Sequence, residues 1–136
     1  MKKNHNEILK KVDEWLSFGD DDLRLARHGL RLDRECPFRL IAYHAQQCVE
    51  KHIKAYLVFH QVDFPYTHNI SRLLELCDQN TATNWVEELK EAEELTAFAI
   101  TTRYPGQDEE VTKDEAETAV NVADRVREIV RTALRK

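Results

Sequence analysis

The chain has 136 residues and a formal net charge of −5, with 42% hydrophobic and 33% charged residues. This balance excludes a disordered chain, and the length suits one domain with one core. The acidic balance argues against a broad basic face for gripping nucleic acid, although local basic patches remain open. With only three Gly and three Pro, the sequence favours long helices over a β-sandwich.

Cysteine usage and the absence of long apolar runs point to a cytoplasmic protein. Cys36, Cys48 and Cys77 are odd in number and have no CxxC spacing, so we expect reduced thiols. We find no apolar segment typical of a signal peptide and no run of about 18 apolar residues that would span a membrane.

The apolar spacing predicts an all-α protein, an antiparallel up-and-down bundle of about five helices in a single domain over residues 1–136. The first helix covers about residues 4–32. Besides its main apolar face it carries a second stripe of Phe18, Leu25 and Leu32. We interpret this stripe either as a widening of the core face or as a dimer seam.

Caps and turn residues define the remaining helices. Pro37 precedes the second helix, Asn69 caps the third, Asn84 opens the fourth, and Thr112 with Glu115 forms a capping box before the fifth. These helices are predicted over about residues 38–60, 70–77, 84–100 and 112–134, with a loop over residues 101–110.

The second helix has two different sides when residues 40–59 are projected at 100° per residue. One side is apolar, and the other carries polar residues with His44 on the border. The polar side is either an ordinary solvated stripe, in which Glu50 and Lys54 form an i,i+4 pair, or the wall of a cleft. Its residues are Tyr43, Gln47, Glu50, Lys51 and Lys54.

Residues 42–55 read AYHAQQCVEKHIKA. This string resembles a helix of the HEPN family, whose pattern is an aromatic residue, two residues, Gln-Gln, then Glu-Lys and Lys-Ala. Further segments agree in order, and the resemblance spans about residues 15–134. The agreeing segments are Trp15-Leu16 with Asp22-Leu23 and Ala26, Pro65-Tyr66-Thr67-His68, Thr102-Arg103-Tyr104-Pro105, and Asp114-Glu115-Ala116.

The resemblance implies a function. HEPN domains are helical bundles, commonly dimeric, and many are toxins encoded beside a minimal nucleotidyltransferase that acts as antitoxin. Active members are metal-independent ribonucleases with an Arg-x(4–6)-His motif. We therefore expect a homodimeric RNA- or nucleotide-binding member of such a pair, without a cofactor. The alternative is a non-catalytic protein-interaction or nucleotide-binding module.

One match to the ribonuclease motif exists, Arg39 followed by His44. The guanidinium would stabilise charge on a phosphate, and the imidazole would move a proton. Chance alone gives about 1.5 such matches in a chain of this composition. A five-residue step also separates two side chains on a helix by about 140°. Gln46 occupies the offset at which family members often carry a modifiable Tyr, so both a true motif and a chance match stay open.

A second cationic group is predicted in the loop before the last helix. Arg103 and Tyr104 would approach Gln47, Lys51 and Lys54, and together they would suit a phosphate and a base or ribose. The alternative is that Tyr104 packs in the core and Arg103 pairs with an acidic neighbour.

Two other clusters have simpler interpretations. His44, Cys48 and His52 follow one another at i, i+4 and i+8, but they drift by about 80° around the helix, so we predict core packing and no metal site. The run at residues 20–22, Asp-Asp-Asp, is interpreted as a solvated acidic surface or a docking patch for a basic partner.

Overall fold

The computed structural model describes residues 4–99 and 110–135, and these residues form helices and connections without a strand. The predicted all-α class is confirmed. None of the described helices is long and apolar enough to cross a membrane. The elements are α1 (His5–Gly29), α2 (Phe38–Phe59), α3 (Ile70–Asn80), α4 (Trp85–Glu88), a 3₁₀ helix (Lys90–Phe98) and α5 (Lys113–Leu134).

Helix α2 is the central element, since it packs against α1, α3, α5 and the 3₁₀ helix. Its pairing with α1 is antiparallel. Gly19 of α1 lies against His52 of α2, while Gly29, further along α1, lies against the earlier Ile41 of α2. Fully buried residues therefore lie on several sides of α2, among them Ala42, Val49, Ile53 and Leu57.

Local capping explains where two of the predicted helices begin. The Asn69 side chain accepts a hydrogen bond from the Arg72 amide at 3.1 Å. At α5, Thr112 accepts from the Glu115 amide and the Glu115 carboxylate accepts from the Thr112 amide. These contacts satisfy amides that have no partner inside the helix, and they confirm both predicted caps.

The fourth predicted helix differs from the observed one. Residues 84–100 were predicted to form one α-helix, but the structure has the single turn α4 followed by the 3₁₀ helix. The apolar residues Leu89, Ala92, Leu95 and Phe98 recur every three positions and all face the core. A repeat of three suits a 3₁₀ helix, whose side chains align at i and i+3.

The predicted second stripe of the first helix is exposed, and its last residue, Leu32, lies beyond α1, which ends at Gly29 rather than near residue 32. Phe18, Leu25 and Leu32 keep 56%, 55% and 54% of their surface accessible, so the interpretation as a wider core face is wrong. The side of α1 that faces the core is already filled by residues such as Leu16 and Leu23. The dimer-seam interpretation remains a prediction.

Candidate functional site

The first site feature is a three-residue group that we call the His44 cluster: Asp22 of α1 with His44 and Lys51 of α2. His44 Nδ1 lies 2.8 Å from Asp22 Oδ1, and Lys51 Nζ lies 2.6 Å from Asp22 Oδ2. Because His44 and Lys51 are seven residues apart, they lie on the same side of α2. Their side chains remain 25% and 23% exposed, whereas that of Asp22 is only 11% exposed.

This contact fixes how the imidazole of His44 can be used. An ionised carboxylate only accepts hydrogen bonds, so Nδ1 of the ring carries the proton and donates it to Asp22. When the ring is neutral, its other nitrogen, Nε2, has a free lone pair. A partly exposed imidazole held in this way can take up a proton from a bound molecule.

Arg39, the other half of the predicted catalytic pair, is exposed on the first turn of α2. This turn is formed, because the amides of Leu40 and Ile41 already donate to the Pro37 carbonyl. Arg39 and His44 therefore point about 140° apart on one helix. Within one chain, the groups beside His44 are Asp22 and Lys51.

The second feature is the Glu50 cluster, formed by Gln46, Gln47, Glu50, Lys54 and His68. The Glu50 carboxylate accepts from Gln46 Nε2 at 2.7 Å, from Lys54 Nζ at 2.6 Å and from His68 Nδ1 at 3.0 Å. Gln47 Nε2 donates to Gln46 Oε1 at 2.7 Å. Burial by itself raises the pKa of Glu50, but the hydrogen bonds from Lys54, His68 and Gln46 outweigh it and leave that pKa below its ordinary value.

The interpretation of this polar stripe as an ordinary solvated face is wrong. Gln47, Glu50 and Lys54 are 9%, 3% and 6% exposed, because α2 has neighbours on most of its sides. The Lys54 ammonium lies 5.6 Å from the Trp15 ring centre and 5.7 Å from that of Phe64. The predicted Glu50–Lys54 pair is confirmed, but in a buried setting.

The third feature is the Asp20 cluster, in which Asp20 of α1 binds two arginines of α5. Arg127 Nε donates to Asp20 Oδ1 at 2.8 Å, and Arg131 Nη2 donates to Oδ2 at 2.5 Å. Burial raises the pKa of Asp20, but Arg127 and Arg131 outweigh this effect and hold the pKa below its ordinary value. His52 Nε2 also faces this carboxylate, at 3.4 Å from Oδ1.

The interpretation of the Asp run as a solvated acidic surface is therefore wrong for two of its three residues. Asp22 is buried against α2 and Asp20 is half-buried against α5, while Asp21 is exposed. Residues two apart on a helix point about 200° apart, so one run supplies acids to two different interfaces.

His44, Cys48 and His52 separate as packed residues. His44 turns to Asp22, while His52 Nδ1 lies 2.8 Å from the Cys48 carbonyl oxygen. Burial lowers the pKa of His52 and raises that of the Cys48 thiol. Among residues 4–99 and 110–135, no group of three or more His, Cys, Asp or Glu is arranged to hold a metal ion. All three cysteines are free thiols.

Arg103 and Tyr104 lie outside the described residues. Their approach to Gln47, Lys51 and Lys54 remains a prediction. Of these three, Lys51 belongs to the His44 cluster, while Gln47 and Lys54 belong to the Glu50 cluster.

Sequence reasoning missed Asp22 and His68 as partners of the polar side of α2. A signal for Asp22 was present, because it lies three residues after Gly19 and four before Ala26, which are both buried positions of α1. His68 belongs to a connection, and no helical period could place it beside Glu50.

Comparison with known proteins agrees with this fold. The family model described as HEPN domain matches residues 12–133. A protein of Methanocaldococcus jannaschii named "Putative toxin MJ1304" is 26% identical over 142 residues, covering 94% of this chain and 91% of that protein. The crystal structure of ST0689, an archaeal HEPN homologue, superposes with a TM-score of 0.70 and 26% identity, covering 90% of this chain and 96% of that one. Because the family model spans most of the sequence, the chain belongs to the HEPN domain family.

Proposed function

We propose that this HEPN protein is the toxin of a toxin–antitoxin pair, that it binds and cleaves RNA without a metal ion, and that its antitoxin is a minimal nucleotidyltransferase. The similarity to a protein named as a toxin supports the first part. The observation that carries the chemistry is the 2.8 Å contact between His44 Nδ1 and Asp22 Oδ1. This contact leaves a partly exposed imidazole nitrogen ready to act as a base.

In the proposed reaction, His44 Nε2 takes the proton of a ribose 2′-hydroxyl. The 2′-oxygen attacks the adjacent phosphorus, and the bond from phosphorus to the 5′-oxygen breaks. The leaving 5′-oxygen takes a proton from solvent. The products are a 2′,3′-cyclic phosphate and a 5′-hydroxyl end, so atoms and charge balance without a metal ion or cofactor.

Positive groups around His44 would stabilise the charge on the phosphate. One such group is Lys51, which shares Asp22 with His44. Arg39 or Arg103 would add a guanidinium, and Tyr104 would stack on a base.

Gln47 and Lys54 complete the proposed nucleotide-binding set. Both bond to other members of the Glu50 cluster. In this proposal they hold the wall of the site in place.

The test is cleavage of total RNA in the presence of a chelator. We expect His44→Ala to abolish cleavage, and Asp22→Asn to weaken it and change its pH profile, because the amide no longer fixes the charge and tautomer of the ring. His5→Ala is the matched control, since His5 is exposed at the start of α1, and it should cleave like the wild type. Equal cleavage by the wild type and His44→Ala would end the catalytic assignment.

The competing proposal is a non-catalytic module that docks on a nucleotidyltransferase or binds a nucleotide. The divergence of Arg39 and His44 by about 140° favours it. Partner binding and dimerisation that survive His44→Ala and Arg103→Ala would support a docking module. Heat of binding with mononucleotides in calorimetry would support a nucleotide-binding regulator instead.

The exposed stripe of α1 supports the proposed homodimer. Phe18 and Leu25 are seven residues apart on α1, about 10 Å along one side of the helix, and the exposed Leu32 follows in the connection after α1. Sedimentation should show a dimer for the wild type and a monomer for Leu25→Glu. Tyr66→Glu is the control, because Tyr66 is 92% exposed and lies away from the stripe in the connection before α3. A dimer that tolerates Leu25→Glu would contradict this seam.

A further inference from the structure

A pocket of about 260 Å³ lies between α1 and α5, on the side of α1 opposite the His44 cluster. Four arginines line it: Arg24 and Arg27 from α1, Arg31 from the turn that follows α1, and Arg127 from α5. Arg24 and Arg27 are spaced i and i+3, which places their side chains on one face of the helix.

The four arginines are not equally neutralised. Arg27 pairs with Asp124, and Arg127 pairs with Asp20 and Glu128. Arg24 and Arg31 are exposed, and neither makes an ion pair or side-chain hydrogen bond with any residue in the described part of the chain. The pocket therefore presents two uncompensated guanidinium groups.

The local charge is opposite to that of the whole protein. The chain carries a formal net charge of −5, yet the pocket lining has four arginines and a single acid, Asp20, which already binds Arg127 and Arg131. Like charges held this close repel one another, and an anion between them relieves that repulsion. The pocket is therefore built for an anionic ligand.

We infer that this pocket anchors the phosphate backbone of RNA, an inference that rests on the proposed action on RNA. A phosphate offers more oxygens than a carboxylate and can accept from several guanidinium forks at once. Besides the arginines and Asp20, the pocket is lined by Leu23 and His28 and by no Phe, Tyr or Trp, so charge rather than a large aromatic platform would hold the ligand. Arg24, on α1, and Arg31, in the turn after it, are seven residues apart, so each can contact a different phosphate.

The position of the pocket defines its role. Asp22 faces α2 and the His44 cluster, while Asp20 faces α5 and the pocket. RNA held here would be anchored away from the bond that is cut. Loss of the anchor should raise KM and leave kcat unchanged, because the reacting atoms keep their surroundings.

The experiment measures binding of a labelled single-stranded RNA to the full chain by fluorescence anisotropy across a salt series. The variant Arg24→Gln/Arg31→Gln removes the two unpaired charges and breaks no ion pair. Lys10→Gln/Lys90→Gln removes two exposed charges elsewhere and is the matched control. Tripolyphosphate and a poly-glutamate peptide serve as competitors, which separate phosphate recognition from recognition of an acidic protein segment.

Each phosphate contact contributes about 0.7 to the salt slope for single strands, so losing two should lower that slope by about 1.4. The ratio of variant to wild-type dissociation constants should then widen by about 25-fold as salt falls from 1 M to 0.1 M. The lysine control should keep the wild-type slope. Tripolyphosphate should displace RNA from the wild type, and the arginine variant should cleave with a raised KM and unchanged kcat.

An unchanged salt slope in the arginine variant would overturn the anchor while leaving the proposed ribonuclease intact. Displacement by poly-glutamate but not by tripolyphosphate would also overturn it, in favour of an acidic protein partner. Loss of cleavage in His44→Ala with wild-type RNA affinity would support both proposals. A wild-type protein that binds no RNA would refute both.

Discussion

Gly19 is a position where α1 approaches α2 closely, and its replacement by Ala tests how tightly the two helices are packed. A Cβ at Gly19 would lie 2.7 Å from Nδ1 and 2.8 Å from Cε1 of His52. The imidazole is fully buried and its Nδ1 bonds to the Cys48 carbonyl at 2.8 Å. A methyl group at this position therefore forces one of two changes. Either the ring moves aside and loses its bond to Cys48, or the two helices separate.

Three effects determine how much Gly19→Ala changes the free energy of unfolding. Overpacking a well-packed core costs about 1–3 kcal/mol, and loss of the hydrogen bond to Cys48 costs about 1 kcal/mol more. Ala in a helix interior recovers about 1 kcal/mol relative to Gly. We therefore expect Gly19→Ala to lower the free energy of unfolding by about 1–3 kcal/mol, which corresponds to a fall in Tm of about 4–10 °C for a chain of this size.

Urea unfolding followed by far-ultraviolet circular dichroism measures this change. The informative control repeats Gly19→Ala in a His52→Ala background, where the ring that would collide is absent. There the substitution should be neutral or should raise the free energy of unfolding by up to about 1 kcal/mol, because only the helix propensity remains. An equal loss of stability in both backgrounds would refute the proposed steric conflict.

Three further predictions concern the stability of the bundle, each measured by urea unfolding. Lys54→Met should cost about 3 kcal/mol, because it leaves the carboxylate of Glu50 buried without its ammonium partner, and adding Glu50→Gln should recover part of the loss. Thr112→Ala should cost about 1 kcal/mol by removing the cap of α5, and an unchanged midpoint would show that the capping box is not needed. Burial lowers the pKa of His52 below its ordinary value of 6.5, so below about pH 6.5 the unfolded chain binds a proton that the folded protein does not bind. The free energy of unfolding should therefore decrease as the pH is lowered below about 6.5, by up to about 1.4 kcal/mol per pH unit. His52→Gln should flatten this pH profile, and an equal slope in both proteins would contradict the assignment to His52.

Prediction from the sequence succeeded where the cause is local. The cap at Asn69 and the box of Thr112 with Glu115 depend on residues three positions apart, and helical periodicity is equally local. The fourth helix failed for a related reason. Its caps suggested an α-helix, but packing of residues spaced by three against the core selected a 3₁₀ helix.

The same reasoning predicted the residues that α2 contributes to the candidate site, but not their partners on other elements. The pattern of α2 selected His44, Lys51, Gln47 and Lys54 as residues of one side. It also indicated the pair of Glu50 with Lys54, but it could not indicate that Asp22 would meet His44 and Lys51, or that His68 would bind Glu50.

The sequence by itself determined that the protein is all-helical, where several helices begin, and to which family it belongs, because periodicity, capping and shared motifs are properties of the chain order. Only the tertiary structure decided which polar side chains are buried. A helical projection shows which residues share a side, but the burial and pKa of a group depend on what packs against that side. For α2 the neighbours are α1, α3, α5 and the 3₁₀ helix, and they turn a stripe that looked solvated into buried, fully paired charges.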